Sequence, residues 1–374
     1  GPTGAAEGAD PAAPLRAVAE LLEGAGETVV LWGERVSHGG RGREAVEALL
    51  AVAEALELRG RDGSGLIEVP EGTNGRGLRE VGCVPGLGPG RADGSPGREA
   101  AAMADALAAG ELGALLLVHA DPLREQSGRE RWESALGDAG ALVAISDFRT
   151  DELERHAAVV FPAESWAEKE GTVTHPDGRL QRARQAVGHL GEVRPGWWVL
   201  TELAARVGAP LAAAGPPLVT DALAAAVPFY AGLTLDELGG HGVRWQEREA
   251  AAAAPAAEPS TEPLAEPPAP PDGLRLGAVR SLWTGPDTEH SPALRFLAPR
   301  QRAELSPVDA RRLGVATGDE IIVSANGASV RAEVALRSGV NPGSVFLIAG
   351  TADHSATALE PGPVEVSKVA AAIA

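Results

Sequence analysis

The sequence predicts an α/β chain: a doubly wound, mainly parallel sheet domain followed by a small β-barrel domain. Three observations carry this. Apolar segments at 28–32, 66–69, 114–119, 141–146 and 157–161 alternate with stretches of helical spacing, the rhythm of parallel strands joined by crossover helices. An Ala/Glu/Pro stretch over 250–271, with seven prolines, then breaks that rhythm and reads as an acidic, polyproline-like linker. Beyond it the strands are short, and Asn326-Gly327 is the pair favoured in a type I′ hairpin turn. Short curved strands of this kind hide their edges by closing into a barrel.

The expected boundaries are therefore a flexible lead-in over 1–14, the α/β domain over 15–249, the linker over 250–271 and the barrel over 272–374. Leu15, Val18, Ala19 and Leu22 have helical spacing, 28–32 reads as a buried strand ended by Gly33, and Val46 to Leu56 marks one face of a helix. Glycine dominates 71–97 without the G-x-G-x-x-G order that would open a phosphate-binding helix, so an irregular excursion is expected there. Ser95-Pro96 predicts the start of a helix running to Ala109. A helix is expected from Pro122 to Leu136, and Thr150 is placed to cap a single turn. Thr172-Val173-Thr174 and Arg179-Leu180-Gln181 flank His175-Pro176-Asp177-Gly178, whose Pro and Gly suit a type I turn, so a small hairpin is expected. Trp197, Leu200, Leu203, Ala204 and Val207 make a helical stripe stopped by Gly208, and short helices are expected at 221–227 and 235–238. In the last part, 274–283, 320–324, 330–336 and 345–348 read as strands. Ser306-Pro307-Val308-Asp309 carries the cap, first-turn Pro and carboxylate of a helix start.

Composition bounds the function. A formal charge of −19 excludes phosphate-backbone binding as a principal role, because nucleic acid demands a dense basic surface. Cys83 is the only cysteine, so no internal disulfide, cysteine-ligated iron–sulfur cluster or four-cysteine zinc site can form within this chain. No apolar run reaches the roughly 20 residues that span a bilayer, and the start lacks the pattern of a signal peptide, so a cytoplasmic location is expected. The sequence starts at Gly1, with Met103 its only methionine, and is expected to be part of something longer.

Self-sufficient catalytic sets are missing: there is no G-x-x-x-x-G-K-[ST], H-E-x-x-H or G-x-S-x-G. His119, at a strand end, and His175, in the hairpin turn, are the two histidines placed where chemistry could be done. Both read as hydrogen-bonding structural residues. Glu164, Glu168 and Glu170 read as a solvated charged segment, and Cys83 as a packed or partly exposed thiol. Ligands of doubly wound sheets bind at C-terminal strand ends, here 119–122 and 146–149.

Glu168-Lys-Glu-Gly171-Thr-Val-Thr-His175-Pro-Asp-Gly178-Arg179-Leu-Gln181, continued by Arg194-Pro-Gly-Trp197, resembles the E-x-x-G-T-x-x-N-x-x-G-R-x-Q…W pattern of the molybdopterin oxidoreductase superfamily. Leu305 to Val323, with Asn341-Pro-Gly343, is similar to that superfamily's C-terminal dinucleotide-binding barrel. Within it, Val29 to Glu34, Gly75 to Gly90 and Phe161 to Gly171 look like the family of large iron–sulfur subunits of bacterial NADH:quinone oxidoreductase (respiratory complex I), of actinobacterial type. The resemblance implies a double-psi form for the barrel. It implies a scaffold part of an enzyme, not catalytic by itself, with iron–sulfur clusters in an N-terminal part outside this chain and molybdopterin absent. It implies as partners the other cytoplasmic-arm subunits of complex I, with no nucleic acid and no membrane insertion, at the inner face of the cell membrane. Gly171, His175, Gly178 and Arg179 become the candidates for a vestigial pterin pocket, His175 standing where pterin-binding relatives carry Asn. The alternatives are the C-terminal half of an active bis-molybdopterin guanine dinucleotide enzyme of formate dehydrogenase or nitrate reductase type, and a free-standing remnant that binds partners.

Overall fold

The computed structural model describes residues 12–38, 41–255 and 273–369. The expected lead-in thus lies outside the described residues up to residue 11, and the expected linker from residue 256 to its end. The described chain forms two compact units, each assembled from separated stretches. One contains residues 12–38, 41–97, Trp166–Gly188 and 197–255; the other contains Arg98–Ser165, His189–Gly196 and residues 273–369.

The first unit holds a two-stranded parallel sheet, Val29–Gly33 on Gly65–Val69, and a three-stranded antiparallel sheet, Gly171–Thr174, Arg179–Ala183 and Val243–Arg244. Its core gathers Leu180, Ala224, Val227, Phe229, Tyr230, Leu233, Leu235, Leu238 and Trp245, with Ala251 and Ala254 packed on it. Residues 250–254, expected at the head of the linker, therefore continue the packed unit through the turn Glu249–Ala253. The expected irregular excursion contains the helix Gly75–Glu80. Arg76 and Glu80 stand one turn apart on it and pair at 2.8 Å, an i,i+4 contact that glycine content obscures in the sequence.

The strand Val29–Gly33 departs from expectation by facing outward: Val29 is 51% and Leu31 67% exposed. An apolar run shows that a strand can be buried, but a two-stranded sheet covers one face at most when no second layer lies over the other.

The second unit holds three parallel strands, Ala114–Val118, Ala141–Ser146 and Val159–Pro162, so the five strands expected in one sheet divide between two. Leu107, Leu117, Leu123, Trp132, Leu136, Leu142 and Leu153 form its helix-on-sheet core. The helix expected at Ser95 begins at Ala100, with Gly97 behind Pro96 keeping the start extended. The helix expected over 122–136 is two pieces, Pro122–Glu125 and Arg129–Asp138, broken at Gly128 with φ 78°. Thr150 caps Asp151–His156 through its Oγ1, which accepts from the Leu153 N–H at 3.3 Å.

In the same unit a closed barrel of six strands contains Leu274–Arg280, Arg302–Leu305, Glu320–Ala325, Ala328–Leu336, Ser344–Ala349 and Pro363–Lys368. Asn326 and Gly327 have φ 48° and 89°, as the type I′ turn requires, and join Glu320–Ala325 to its antiparallel neighbour Ala328–Leu336. Val330, Ala332 and Val334 point inward in strict alternation, each at most 3% exposed. Leu305, Ile321, Val323, Val345, Leu347 and Val364 are buried in the same core. Strands Arg302–Leu305 and Pro363–Lys368 are too short and mixed in polarity to stand out in the sequence. Ser306 caps the helix Pro307–Leu313: its Oγ accepts from the Asp309 N–H at 3.0 Å and donates to Asp309 Oδ2 at 2.7 Å. Gly314 ends it at φ 67°.

Candidate functional site

The hairpin forms where the sequence places it. Gly178 N–H donates to His175 O at 2.8 Å and His175 N–H to Arg179 O at 2.8 Å, with Gly178 at φ 86°. The turn needs a left-handed residue here, and an added Cβ at 178 would also lie 1.9 Å from the Gln246 side chain. Gln246 Nε2 donates to Asp177 O at 2.8 Å, so the turn is closed over by protein.

His175 is half-exposed, its Nδ1 2.9 Å from Asp177 Oδ1. Asp177 also accepts from the Arg179 N–H at 2.9 Å. Burial pushes the Asp177 carboxyl up, but the His175 and Arg179 hydrogen bonds and the neighbouring positive charges outweigh it and hold the group below its ordinary value. Arg179 reaches the His241 carbonyl at 3.4 Å. Gly171 sits at the far end of the hairpin with open space beside it. His175, Gly178 and Arg179 are thus one turn; Gly171 is apart from them.

Beside the hairpin lies a carboxylate that sequence reading missed. Glu80 is fully buried. Its Oε1 accepts from Arg76 Nε at 2.8 Å, an Arg91 guanidinium nitrogen at 2.9 Å and Trp245 Nε1 at 3.2 Å, while Oε2 accepts from the Tyr230 hydroxyl. Burial, then the Glu80 charge, raises the Tyr230 pKa and keeps its proton in place as the donor. Arg76 also donates to the Pro176 carbonyl, and Asn74 Oδ1 accepts from the Thr174 N–H at 2.8 Å. The glycine-rich segment and the hairpin are therefore one assembly. A cavity of about 190 Å³ lies against it, with Thr172, Thr174 and Leu180 of the hairpin among its walls; none of the four candidate residues lines it.

Glu164 and Glu168 correct the expectation of a solvated segment, for both are buried. Glu164 accepts from the Gly196 N–H at 3.3 Å and meets His189 Nε2 at 2.8 Å. Glu170, part-buried, pairs with Arg182. Partners supplied from distant segments are invisible to local sequence. Cys83 is exposed.

At the strand ends of the second unit, His119 takes φ 50° and lies with Nδ1 3.8 Å from Asp147 Oδ1. Asp121 Oδ1 accepts from the Leu123 N–H at 3.1 Å and Thr150 Oγ1 approaches Asp121 Oδ2 at 3.5 Å. Phe148 stacks on His290 with ring centroids 5.6 Å apart. The two expected loops do come together, but with carboxylates and a histidine as their polar groups.

Residues 15–206 match the molybdopterin oxidoreductase family. The chain belongs to it. Residues 275–370 match the molybdopterin dinucleotide binding domain, which points against the expectation that molybdopterin is absent. The chain is 31% identical over 348 residues to NADPH-Fe(3+) oxidoreductase subunit alpha of Geobacter sulfurreducens, covering 89% of this chain and 40% of that protein. It is 29% identical over 319 residues to an NADH-quinone oxidoreductase subunit of Rhizobium meliloti, covering 80% and 36%. Formate dehydrogenase H of Escherichia coli is 26% identical over 263 residues, covering 65% and 37%. The chain thus spans at most 40% of the length of these relatives. Among solved structures, acetylene hydratase from Pelobacter acetylenicus shares the fold at TM-score 0.55 and 16% identity, over 72% of this chain and 46% of that one. No helix of the described residues is long and apolar enough to cross a membrane.

Membership raises the question of whether these residues suit a molybdopterin dinucleotide, whose pyrophosphate demands free cations and N–H donors. Around the hairpin and at the strand ends of the second unit the fit is poor. Around the hairpin, Arg76 and Arg91 are held by Glu80, Arg182 by Glu170, Arg244 by Glu247 and Arg179 lies near Asp177. The 190 Å³ cavity is below the roughly 300–1,000 Å³ of small-molecule sites. The space beside Gly178, where a ligand could approach backbone, is filled by Gln246. At the strand ends, Asp121 and Asp147 would repel a phosphate.

Proposed function

We propose that this chain is the C-terminal scaffold portion of the large iron–sulfur subunit of an NADH:quinone oxidoreductase, without a redox centre or molybdopterin of its own. The observation that carries this reading is the pairing of the guanidiniums around the hairpin with carboxylates, Arg76 and Arg91 with Glu80, Arg182 with Glu170 and Arg244 with Glu247, which makes a poor cationic cradle for a pterin dinucleotide there. The similarity to the Rhizobium NADH-quinone oxidoreductase protein supports the same choice of enzyme. On this reading the iron–sulfur clusters belong to another part of the polypeptide and the partners are the neighbouring cytoplasmic-arm subunits. The assembly then lies at the inner face of the cell membrane without this chain entering the bilayer. The work of the chain is mechanical: three cores hold a cluster-bearing part in place while electrons pass from NADH towards quinone.

A second reading is the C-terminal part of an active molybdopterin oxidoreductase of formate dehydrogenase type, favoured by the dinucleotide-binding match over 275–370 and the similarity to formate dehydrogenase H. Purification of the native, full-length protein through a small affinity tag separates the two. The first reading expects co-purifying subunits and NADH-driven quinone reduction. Formate-driven or nitrate-dependent turnover by the purified protein, with no NADH oxidation, contradicts it and supports the second.

A further inference from the structure

The parallel pair Val29–Gly33 and Gly65–Val69 has one face without a polar side chain. Its register sets Val29 beside Gly65, Leu31 beside Ile67 and Gly33 beside Val69, and paired residues of a parallel ladder share a face. That face is Val29, Leu31, Ile67 and Val69 with two glycines, and Val29, Leu31 and Val69 are 51%, 67% and 54% exposed. On the opposite face Leu66 lines a groove with Leu50, Ala53 and Leu58 of the Gly42–Ala55 helix and the turn after it. One side of the sheet thus has its helix and the other has none among the described residues.

Parallel sheets have both faces covered, because the helices that connect their strands pack on them. A bare two-stranded parallel ribbon is also at the limit of what is stable in water. The helix Ala13–Glu23, nearest in sequence, does not supply the cover: none of its residues is buried, and Leu15 and Leu21 are 72% and 73% exposed. An added Cβ at Gly33 or Gly65 would meet nothing within 4 Å, so an incoming element can approach the backbone closely at both positions.

We propose that this face is an intramolecular docking surface for an amphipathic helix carried by the same polypeptide outside the present sequence. The relatives supply the length for it, since the matched region is 40% of the Geobacter protein and 36% of the Rhizobium protein. The occupant is a helix with an aliphatic stripe, since the face offers four aliphatic side chains and no partner for a charge. A second copy of the chain would instead put one uncovered sheet face against another. The proposal needs the longer polypeptide but does not depend on which oxidoreductase it belongs to.

The test places a photoreactive residue, Leu31→p-benzoylphenylalanine, in the native full-length protein, followed by irradiation and peptide mapping. The expected product is a cross-link within one polypeptide, without a gain in mass, to an aliphatic-rich helical peptide outside this sequence. A cross-link that doubles the mass, one to a different subunit, or no cross-link overturns the proposal. Should the substituted protein not fold, carbene footprinting of the unmodified full-length protein gives the answer. Leu31 and Val69 are expected to label several-fold less than Leu282 and Phe296, which are 84% and 78% exposed in the other unit. Equal labelling overturns it.

Discussion

The hydroxyl of Tyr230 donates to Oε2 of Glu80 across 150 residues of sequence, and that carboxylate has no exposed surface. Two guanidiniums and an indole N–H meet its other oxygen. A buried charge is tolerated only when every part of it is satisfied, and here it is. Glu80→Ala should therefore leave Arg76 and Arg91 beside a hole and Tyr230 and Trp245 without an acceptor, at a cost of about 3–5 kcal/mol in denaturant-induced unfolding. Glu111→Ala, which removes an exposed pair with Arg98, should cost no more than about 1 kcal/mol. Equal losses in the two variants would refute the idea that Glu80 ties the glycine-rich segment to Tyr230 and Trp245.

The two glycines of the candidate pocket are expected to behave differently. Gly178→Ala meets a φ of 86° and the Gln246 side chain, and should destabilise by about 1–3 kcal/mol. Gly171→Ala has open space and ordinary backbone, and should stay within about 0.5 kcal/mol of the parent. Thermal unfolding of the pair checks this; similar shifts would mean that the turn does not require a left-handed residue.

Asp177 makes the hairpin acid-sensitive. Its folded-state pKa is lowered, so it binds fewer protons than in the unfolded chain. The sign follows: its contribution is fully present above the unfolded value of roughly 3.9 and is lost as pH falls through the lower folded value. The difference in unfolding free energy between the parent and Asp177→Asn should be flat above about pH 5 and shrink below pH 4. A difference that grows on acidification would contradict the direction of the shift.

In the barrel, Ser306 Oγ and the Gly343 N–H both bond Asp309 Oδ2, the latter at 2.9 Å. Ser306→Ala loses a buried cap and the orienting bond to Asp309, and should cost about 1–2 kcal/mol. Unfolding of the Ser306→Ala protein measures it, and a neutral result would show that the cap is dispensable.

What can be read in advance follows from how local the cause is. The Ser306 cap, the Asn326-Gly327 turn and the His175 to Gly178 turn depend on residues within four positions of each other, and all form as expected. Leu31 departs from its expected burial because apolarity shows what a side chain prefers and not whether a covering layer is present. Glu164 and Glu168 look solvated in the sequence because the protein groups around them come from elsewhere in the chain, His189 and Gly196 in the case of Glu164. Of the candidate site, the hairpin is legible; Glu80, Tyr230 and Trp245 are not, since no spacing links positions 80, 230 and 245. The one local hint is the i,i+4 placement of Arg76 and Glu80.

The central claim is that the scaffold carries no molybdopterin, even though the chain belongs to a family named for it. Molybdenum, tungsten and iron content by plasma mass spectrometry, with pterin by fluorescence after oxidative release, on the native full-length protein tests it most directly. The account predicts iron in multiples of a cluster, with molybdenum and tungsten far below one atom per polypeptide and no released pterin. One atom of either metal per polypeptide, accompanied by pterin, would contradict it.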